Sequence, residues 1–264
     1  MIRSILFAIA YWSLSVIYVL MILPCLLLPG DGVVRWLILK YTQSMRWSLR
    51  VFAGVDHEVR GKEHLPDGPF ILAAKHQSWG DGFLIYPEIE SIAFVTGDHL
   101  ERFPFVGRIL QKLGAIVIDT CGGGERKASS LSEGLEQIRH DNRRILIYPE
   151  GHLAPVDYHF RYKSGVWHMA NALNIPVVPV ATNIGLFWRQ EDFRKNQGTA
   201  LLEILPLLDP SVGKGDFMEA LTSCVELKTA ELVAEGRGTE FRKTVLIEDP
   251  KTGELASPPC EPET

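Results

Sequence analysis

The stretch Phe70-Ile71-Leu72-Ala73-Ala74-Lys75-His76-Gln77-Ser78-Trp79-Gly80-Asp81 decides how this chain is read. Phe70 to Ala74 is an apolar run of the length that fills a short buried strand, and it delivers His76 to the strand's end. An imidazole followed five positions on by a carboxylate suits a base and its orienting partner. Asp81 can hold one ring nitrogen of His76 while the other faces a hydroxyl. The same residues also admit a structural role, because Ser78-Trp79-Gly80-Asp81 has the form of a capping box. In that role Asp81 satisfies the backbone amide of Ser78 at a helix start. The two roles are compatible, since a capped helix would fix the carboxylate that orients His76.

Outward from this stretch, strand and helix signals alternate. Ser91 to Val95 and Ala115 to Ile118 read as strands. Arg144 to Tyr148 is another, running into the turn Pro149-Glu150-Gly151, and Val177 to Ala181 fills a core strand. Helical stretches fall at Arg126 to His140, Val166 to Asn174 and Ser211 to Glu235. The alternation predicts an α/β sandwich with a mixed sheet, its chemistry-bearing turns placed where strands end. Beyond about Glu248 the composition turns to Pro, Glu and Thr, too polar to bury a core. The chain thus divides into N-terminal helices over 1–54, an α/β domain over 55–245 and a disordered acidic tail over 246–264.

Ile5 to Leu28 is nearly uninterrupted apolar sequence without a formal charge, long enough to span a bilayer core of roughly 30 Å. It is too long for the apolar part of a secretory signal, and no small-x-small cleavage site closes it. Pro24 and then Pro29-Gly30-Asp31-Gly32 break any helix there. Val33 to Phe52 sets Trp36, Leu37, Leu39, Trp47 and Leu49 among Arg35, Lys40, Arg46 and Arg50. That is a basic amphipathic helix, suited to an anionic membrane surface or to packing on the domain. Arg3 on one flank and the basic second helix on the other give no charge asymmetry, so a single crossing and a re-entrant hairpin are both open. The net charge of −5 argues against a nucleic-acid partner. Cys25, Cys121, Cys224 and Cys260 are scattered without a Cys-x-x-Cys pair, which implies neither a disulfide framework nor a zinc cluster and fits a cytoplasm-facing location. His-Glu-x-x-His is absent, and His152 and His159 have no partner motif, so no metal is expected.

From Ile71 to about Leu208 the chain resembles the glycerolipid acyltransferase family, particularly its bacterial 1-acyl-glycerol-3-phosphate acyltransferases. Four ordered blocks carry the resemblance. His76 and Asp81, in the context Lys75-His76-Gln77-Ser78, match the first. Gly114-Ala115-Ile116-Val117-Ile118-Asp119 is similar to the second, Gly-x-Ile-x-Ile-Asp-Arg, with Thr120 in place of the Arg. Tyr148-Pro149-Glu150-Gly151 matches the start of Phe-Pro-Glu-Gly-Thr-Arg, followed here by His152 and Leu153. Ile175-Pro176-Val177-Val178-Pro179-Val180 matches the fourth, an apolar run with two prolines. Leu100, Pro104 and Gly107 sit where the family keeps Leu-x-x-x-Pro-x-x-Gly, and Tyr162-Lys163-Ser164-Gly165 resembles its Phe-Lys-x-Gly.

The resemblance implies an α/β acyltransferase domain behind a membrane-associated helical segment. It further implies transfer of a fatty acyl group from acyl-CoA or acyl-carrier protein to the free hydroxyl of 1-acyl-sn-glycerol-3-phosphate, giving phosphatidate. His76 would act as the base and Asp81 as its partner. Glu150, Gly151, Lys163, Thr120 and His152 would line the acceptor. No metal or redox cofactor is needed, because a thioester is already activated. The implied location is the cytoplasmic side of a bacterial inner membrane. The family's arginines in blocks two and three are associated with the acceptor's phosphate, and here they are Thr120 and Leu153. The Lys-Lys-Glu-Leu common before the Pro-x-x-Gly is Gly97-Asp98-His99-Leu100. Another lysolipid, such as a lyso-ornithine lipid, is therefore an alternative acceptor, and a non-catalytic membrane lipid carrier a more distant alternative.

An anion could be held instead by Gly122-Gly123-Gly124 before a helix, with Arg126 and Lys127, or by Arg161 and Lys163. Each of these cations could equally be a solvated surface charge. No Gly-x-Ser-x-Gly elbow occurs, which fits direct transfer to the acceptor hydroxyl without a protein nucleophile.

Overall fold

The computed structural model describes residues 1–97, 105–118, 135–136, 138–141, 143–190, 192–249 and 254–255. Along the chain the strands are β1 (Val55–Arg60), β2 (Ile71–Ala74), β3 (Ile92–Gly97), β4 (Ile116–Ile118), β5 (Arg144–Ile147), β6 (Tyr158–Phe160), β7 (Val177–Thr182), β8 (Gly198–Ile204), β9 (Val245–Asp249) and β10 (Glu254–Leu255). The main sheet has seven of them in the order β1-β8-β7-β2-β5-β3-β4, and the other three form a small sheet in the order β10-β9-β6. In the main sheet β7 and β8 are antiparallel and the other pairs parallel, so the sheet is mixed, as the alternation predicts.

β2 and β7 are buried at every position, which is why their sequences run apolar without polar alternation. Ile71 and Ala73 face one layer, packed with Val166 and Met169 of α5 (Gly165–Leu173) and Phe217, Leu221 and Val225 of α6 (Lys214–Arg237). Leu72 and Ala74 face the other, with Ile85, Tyr86 and Ile92. The two prolines of the fourth block still take part in backbone pairing, since their carbonyls accept from Ile71 N at 3.0 Å and Leu205 N at 2.9 Å. β2 runs parallel between β5 and β7, with Ala73 opposite both Ile147 and Pro179. The ends of β2 and β5 therefore emerge side by side. Lys75-His76 and Tyr148-Pro149-Glu150 become neighbours in the crevice outside the carboxyl ends of the strands, where open α/β sheets bind ligands.

Two helices, α1 (Ile2–Cys25) and α2 (Gly32–Ser48), form a hairpin against the domain. Phe7 meets Trp188 edge-on with centroids 5.1 Å apart, and Tyr11 and Tyr41 both meet Phe83 of α3 (Asp81–Ile85). Lys112, at the end of α4 (Val106–Lys112), donates to the carbonyls of Leu28 and Gly30 at 2.7 Å each and so pins the hairpin's turn. On the outer side of α1, Ile9, Trp12, Val16 and Leu20 are exposed, and Trp36 and Trp47 are exposed on α2. α1 is long and apolar enough to cross a membrane.

One expectation is corrected. The segment from 246 was expected to be disordered, yet Val245–Asp249 forms β9, pairing parallel with β6 and burying Ile247. Val245-Leu246-Ile247 has the β-prone side chains to fill the edge that β6 offers. Of the helix expected over 126–140, residues 135–136 and 138–140 are helical, and the rest lies outside the described residues.

Candidate active site

His76 sits where β2 ends, and Asp81 opens α3. The Nδ1 of His76 lies 2.8 Å from Oδ2 of Asp81, which is almost fully buried. The same oxygen accepts the backbone amides of Gln77 and Ser78 at 2.9 Å each. Ser78 Oγ in turn accepts from Gly80 N at 3.0 Å. Orienting His76 and tying down the turn before α3 are thus one arrangement, with three donors converging on one oxygen of Asp81. With a carboxylate on Nδ1, that nitrogen carries the proton, and Nε2 presents a lone pair. Nε2 has no hydrogen-bond partner among the described residues, and the His76 side chain is 21% exposed.

The other face of the imidazole is covered by Tyr148, stacked with centroids 3.9 Å apart at 15°. Burial, with the Asp81 charge adding to it, pushes the Tyr148 phenol well above its ordinary value, so the ring is neutral. The backbone of His76 is held at both ends. Its N–H donates to Glu150 Oε1 at 3.3 Å, and its carbonyl accepts from Ala154 N at 2.7 Å. One short segment, Tyr148 to Ala154, therefore covers the ring face and supplies both backbone anchors of His76.

Glu150 was expected at the acceptor, and here the geometry departs from the expectation. Its side chain is completely buried, and Oε2 accepts from Lys75 Nζ at 3.1 Å and Phe160 N at 2.9 Å. A carboxylate with no exposed surface and its oxygens occupied from within holds the scaffold, not a substrate. Lys75, also completely buried, spends its remaining two donors on Tyr158 O at 3.0 Å and Glu226 Oε1 at 2.9 Å. Burial raises the Glu150 carboxyl, the Lys75 ammonium pulls it down, and Glu226 adds to the rise. Glu226, from the middle of α6, also accepts the Tyr162 hydroxyl at 2.7 Å.

Gly151 takes a left-handed conformation at φ 70°, and a Cβ there would collide with the Lys163 ammonium. The left-handed backbone is what favours glycine here, since the exposed end of the lysine can swing aside. Lys163 is exposed, and its amide donates to Pro149 O at 2.9 Å, which ties the Tyr162-Lys163-Ser164-Gly165 stretch to the Pro-Glu-Gly turn. His152 is exposed beside it; partial burial, and then the Lys163 charge, lowers its pKa below the ordinary imidazole value. Leu153 is half-buried. Thr120, Leu100, Pro104, Gly122 to Gly124, Arg126 and Lys127 lie outside the described residues.

Sequence reasoning missed Lys75 as a participant, Tyr148 as the stacking partner, and Glu226 altogether. The available signal for Glu226 was its place in the apolar stripe of α6, between Val225 and Ala230, where a solvated carboxylate does not belong.

A family model described as Acyltransferase matches residues 56–183, a span holding His76, Asp81, Glu150, Gly151 and Lys163. The chain is 28% identical over 209 residues to the 1-acyl-sn-glycerol-3-phosphate acyltransferase of Pseudomonas aeruginosa, covering 79% of this chain and 81% of that protein. To the protein of the same name from Salmonella typhimurium it is 30% identical over 183 residues, 65% of this chain and 73% of that one. A Pseudomonas aeruginosa lyso-ornithine lipid O-acyltransferase is 28% identical over 124 residues, 47% of this chain and 45% of that one. The crystal structure of the 1-acyl-sn-glycerophosphate (LPA) acyltransferase from Thermotoga maritima is similar in fold, with a TM-score of 0.71 at 21% identity, covering 88% of this chain and 97% of that one.

Proposed function

The chain belongs to the acyltransferase family, and from that premise we propose that it is a 1-acyl-sn-glycerol-3-phosphate O-acyltransferase, moving a fatty acyl group from a thioester to a lysophosphatidate hydroxyl. The observation that carries the mechanism is the His76–Asp81 pair, with Nδ1 held at 2.8 Å and Nε2 without a partner among the described residues. The acceptor oxygen attacks the thioester carbonyl as Nε2 takes its proton. Asp81 stabilises the imidazolium that forms. When the tetrahedral intermediate collapses, the C–S bond breaks and the imidazolium returns the proton to the departing thiolate. The acceptor alcohol is itself the nucleophile, so no acyl-enzyme forms. Acyl-CoA and acyl-carrier protein both supply the thioester, and neither metal nor redox cofactor enters the steps.

Lysophosphatidate is the acceptor that the named relatives favour. A second reading rests on Leu153, which stands half-buried where the family has an arginine, and on the similarity to the lyso-ornithine lipid enzyme. Purified protein offered one labelled acyl thioester and a panel of lysolipids is expected to acylate lysophosphatidate fastest. Leu153→Arg should then lower KM for that acceptor or leave it unchanged. Acylation of lyso-ornithine lipid in preference, with Leu153→Arg harmful, would move the assignment to the second reading.

The reading extends to attachment at the cytoplasmic face of a bacterial inner membrane. Support comes from α1, whose Ser4, Phe7 and Ile22 are buried against the protein while Ile9, Trp12, Val16 and Leu20 face outward. A helix packed on its own domain from one end to the other favours a hairpin lying in the lipid interface over an isolated crossing. Burying one large apolar side chain contributes about 1.5–3 kcal/mol. Ile9→Glu with Trp12→Glu is therefore expected to weaken partition onto phospholipid vesicles by roughly 10²-fold or more, read by co-sedimentation, while transfer to detergent-dispersed acceptor persists. Undiminished sedimentation would remove α1 as the anchor.

A further inference from the structure

Glu226 lies on the opposite layer from α3, in the middle of a helix that no sequence block includes. It nevertheless reaches His76 through a continuous set of bonds. Its Oε1 takes Lys75 Nζ at 2.9 Å and the Tyr162 hydroxyl at 2.7 Å. Lys75 is the residue before His76, and its ammonium holds Glu150 Oε2 at 3.1 Å. Glu150 Oε1 holds the N–H of His76. We propose that Glu226 is a positioning residue for acyl transfer, aiming the Lys75 ammonium so that Glu150 fixes the backbone of the base.

Stability alone does not account for this residue. Lys75 and Glu150 already form a complete ion pair, and a second buried carboxyl group adds desolvation cost. Oε2 of Glu226 is buried without a hydrogen bond, 3.8 Å from a similarly unsatisfied Nδ1 of His159. A group retained only for packing would be better served by Met or Leu, as are Phe217, Leu221 and Val225 on the same helix. What the carboxylate supplies is geometry. Lys75 has three N–H donors, and with Glu226 present all three have acceptors on different elements: the turn after β5, β6 and α6. Without it the ammonium has a free donor and a range of orientations, and Glu150 moves with it.

The inference rests on the acyl-transfer reading, and its test uses two variants of the full chain. Glu226→Met keeps the volume and leaves the Lys75–Glu150 pair neutral. It is expected to fold with a lowered melting midpoint, because the buried Tyr162 hydroxyl and one Lys75 N–H lose their acceptor, to keep KM for lysophosphatidate, and to lose kcat by roughly 10-fold or more. Glu226→Gln keeps an acceptor for Lys75 and Tyr162, and is expected to restore most of that kcat. A folded Met variant turning over at the wild-type rate overturns the proposal, since a structural role would leave that rate unmoved. A Gln variant as slow as the Met variant overturns it too, because hydrogen-bond geometry is then not what Glu226 provides. If wild-type protein transfers no acyl group, the underlying reading fails and this inference with it. An active wild type beside an equally active Met variant sinks this inference alone.

Discussion

His76→Ala is expected to lower kcat for acyl transfer by roughly 10²–10⁴-fold while the protein still folds. The imidazole is partly exposed, and its loss leaves Asp81 Oδ2 bonded to the amides of Gln77 and Ser78, so no buried charge is orphaned. The loss should fall on kcat, because the proton moves only as the acceptor oxygen attacks. Asp81→Asn is expected to cost a comparable factor in rate by spoiling the tautomer that frees Nε2. It should also lower stability, since three donors converge on that one oxygen. A folded His76→Ala protein keeping more than about a tenth of the wild-type kcat, against the range expected for general base catalysis, would end the general-base assignment.

The second large effect is on stability. Lys75→Met leaves Glu150 and Glu226 buried together without their shared cation. Breaking a buried pair by removing one partner costs about 3–5 kcal/mol. At about 2–4 °C per kcal/mol for a chain of this size, the melting midpoint should fall by roughly 6–20 °C. Removing the repulsion should recover part of this, so Lys75→Met with Glu226→Gln is expected to be more stable than the sum of the two single changes by about 0.5–3 kcal/mol. Thermal and urea melts of the four proteins in that cycle give the number. Strict additivity would mean that Lys75 and Glu226 are not coupled in the folded protein.

The strands that carry the site were legible because they are buried on both faces. Phe70 to Ala74, Arg144 to Tyr148 and Val177 to Ala181 show as apolar runs whatever surrounds them, and the first two lead into His76 and the Pro149-Glu150-Gly151 turn. His76 and Asp81 were legible for a local reason, since one helix start fixes their spacing. The rest depends on partners distant in sequence. β1 and β8 lie on or next to the sheet edge and mix polar with apolar residues, so no single face marks them. β9 forms because β6 offers an open edge, and the polar residues that follow it hide that pairing. Lys75 and Glu226 are residue types that normally sit in water, and only their mutual pairing permits burial. Glu150 was misjudged for the same reason. A motif glutamate beside a catalytic turn suggests a ligand contact, and nothing local reveals that a lysine and two backbone amides take up its oxygens.

The bond between Lys75 and Glu226 joins positions 151 residues apart, and this has a consequence for biogenesis. α1 precedes the domain along the chain, so this apolar helix is made while most of the domain is still unmade. His76 and Asp81 follow, yet His76 lacks its backbone anchor until the turn after β5 is translated. The Lys75 ammonium lacks its third acceptor until α6, long after it in the chain, is translated. Contacts of such long sequence separation form late, and domains complete as units during translation. A nascent chain would thus expose its apolar helix before the His76 backbone is fully anchored, and the complete arrangement would form only when α6 docks.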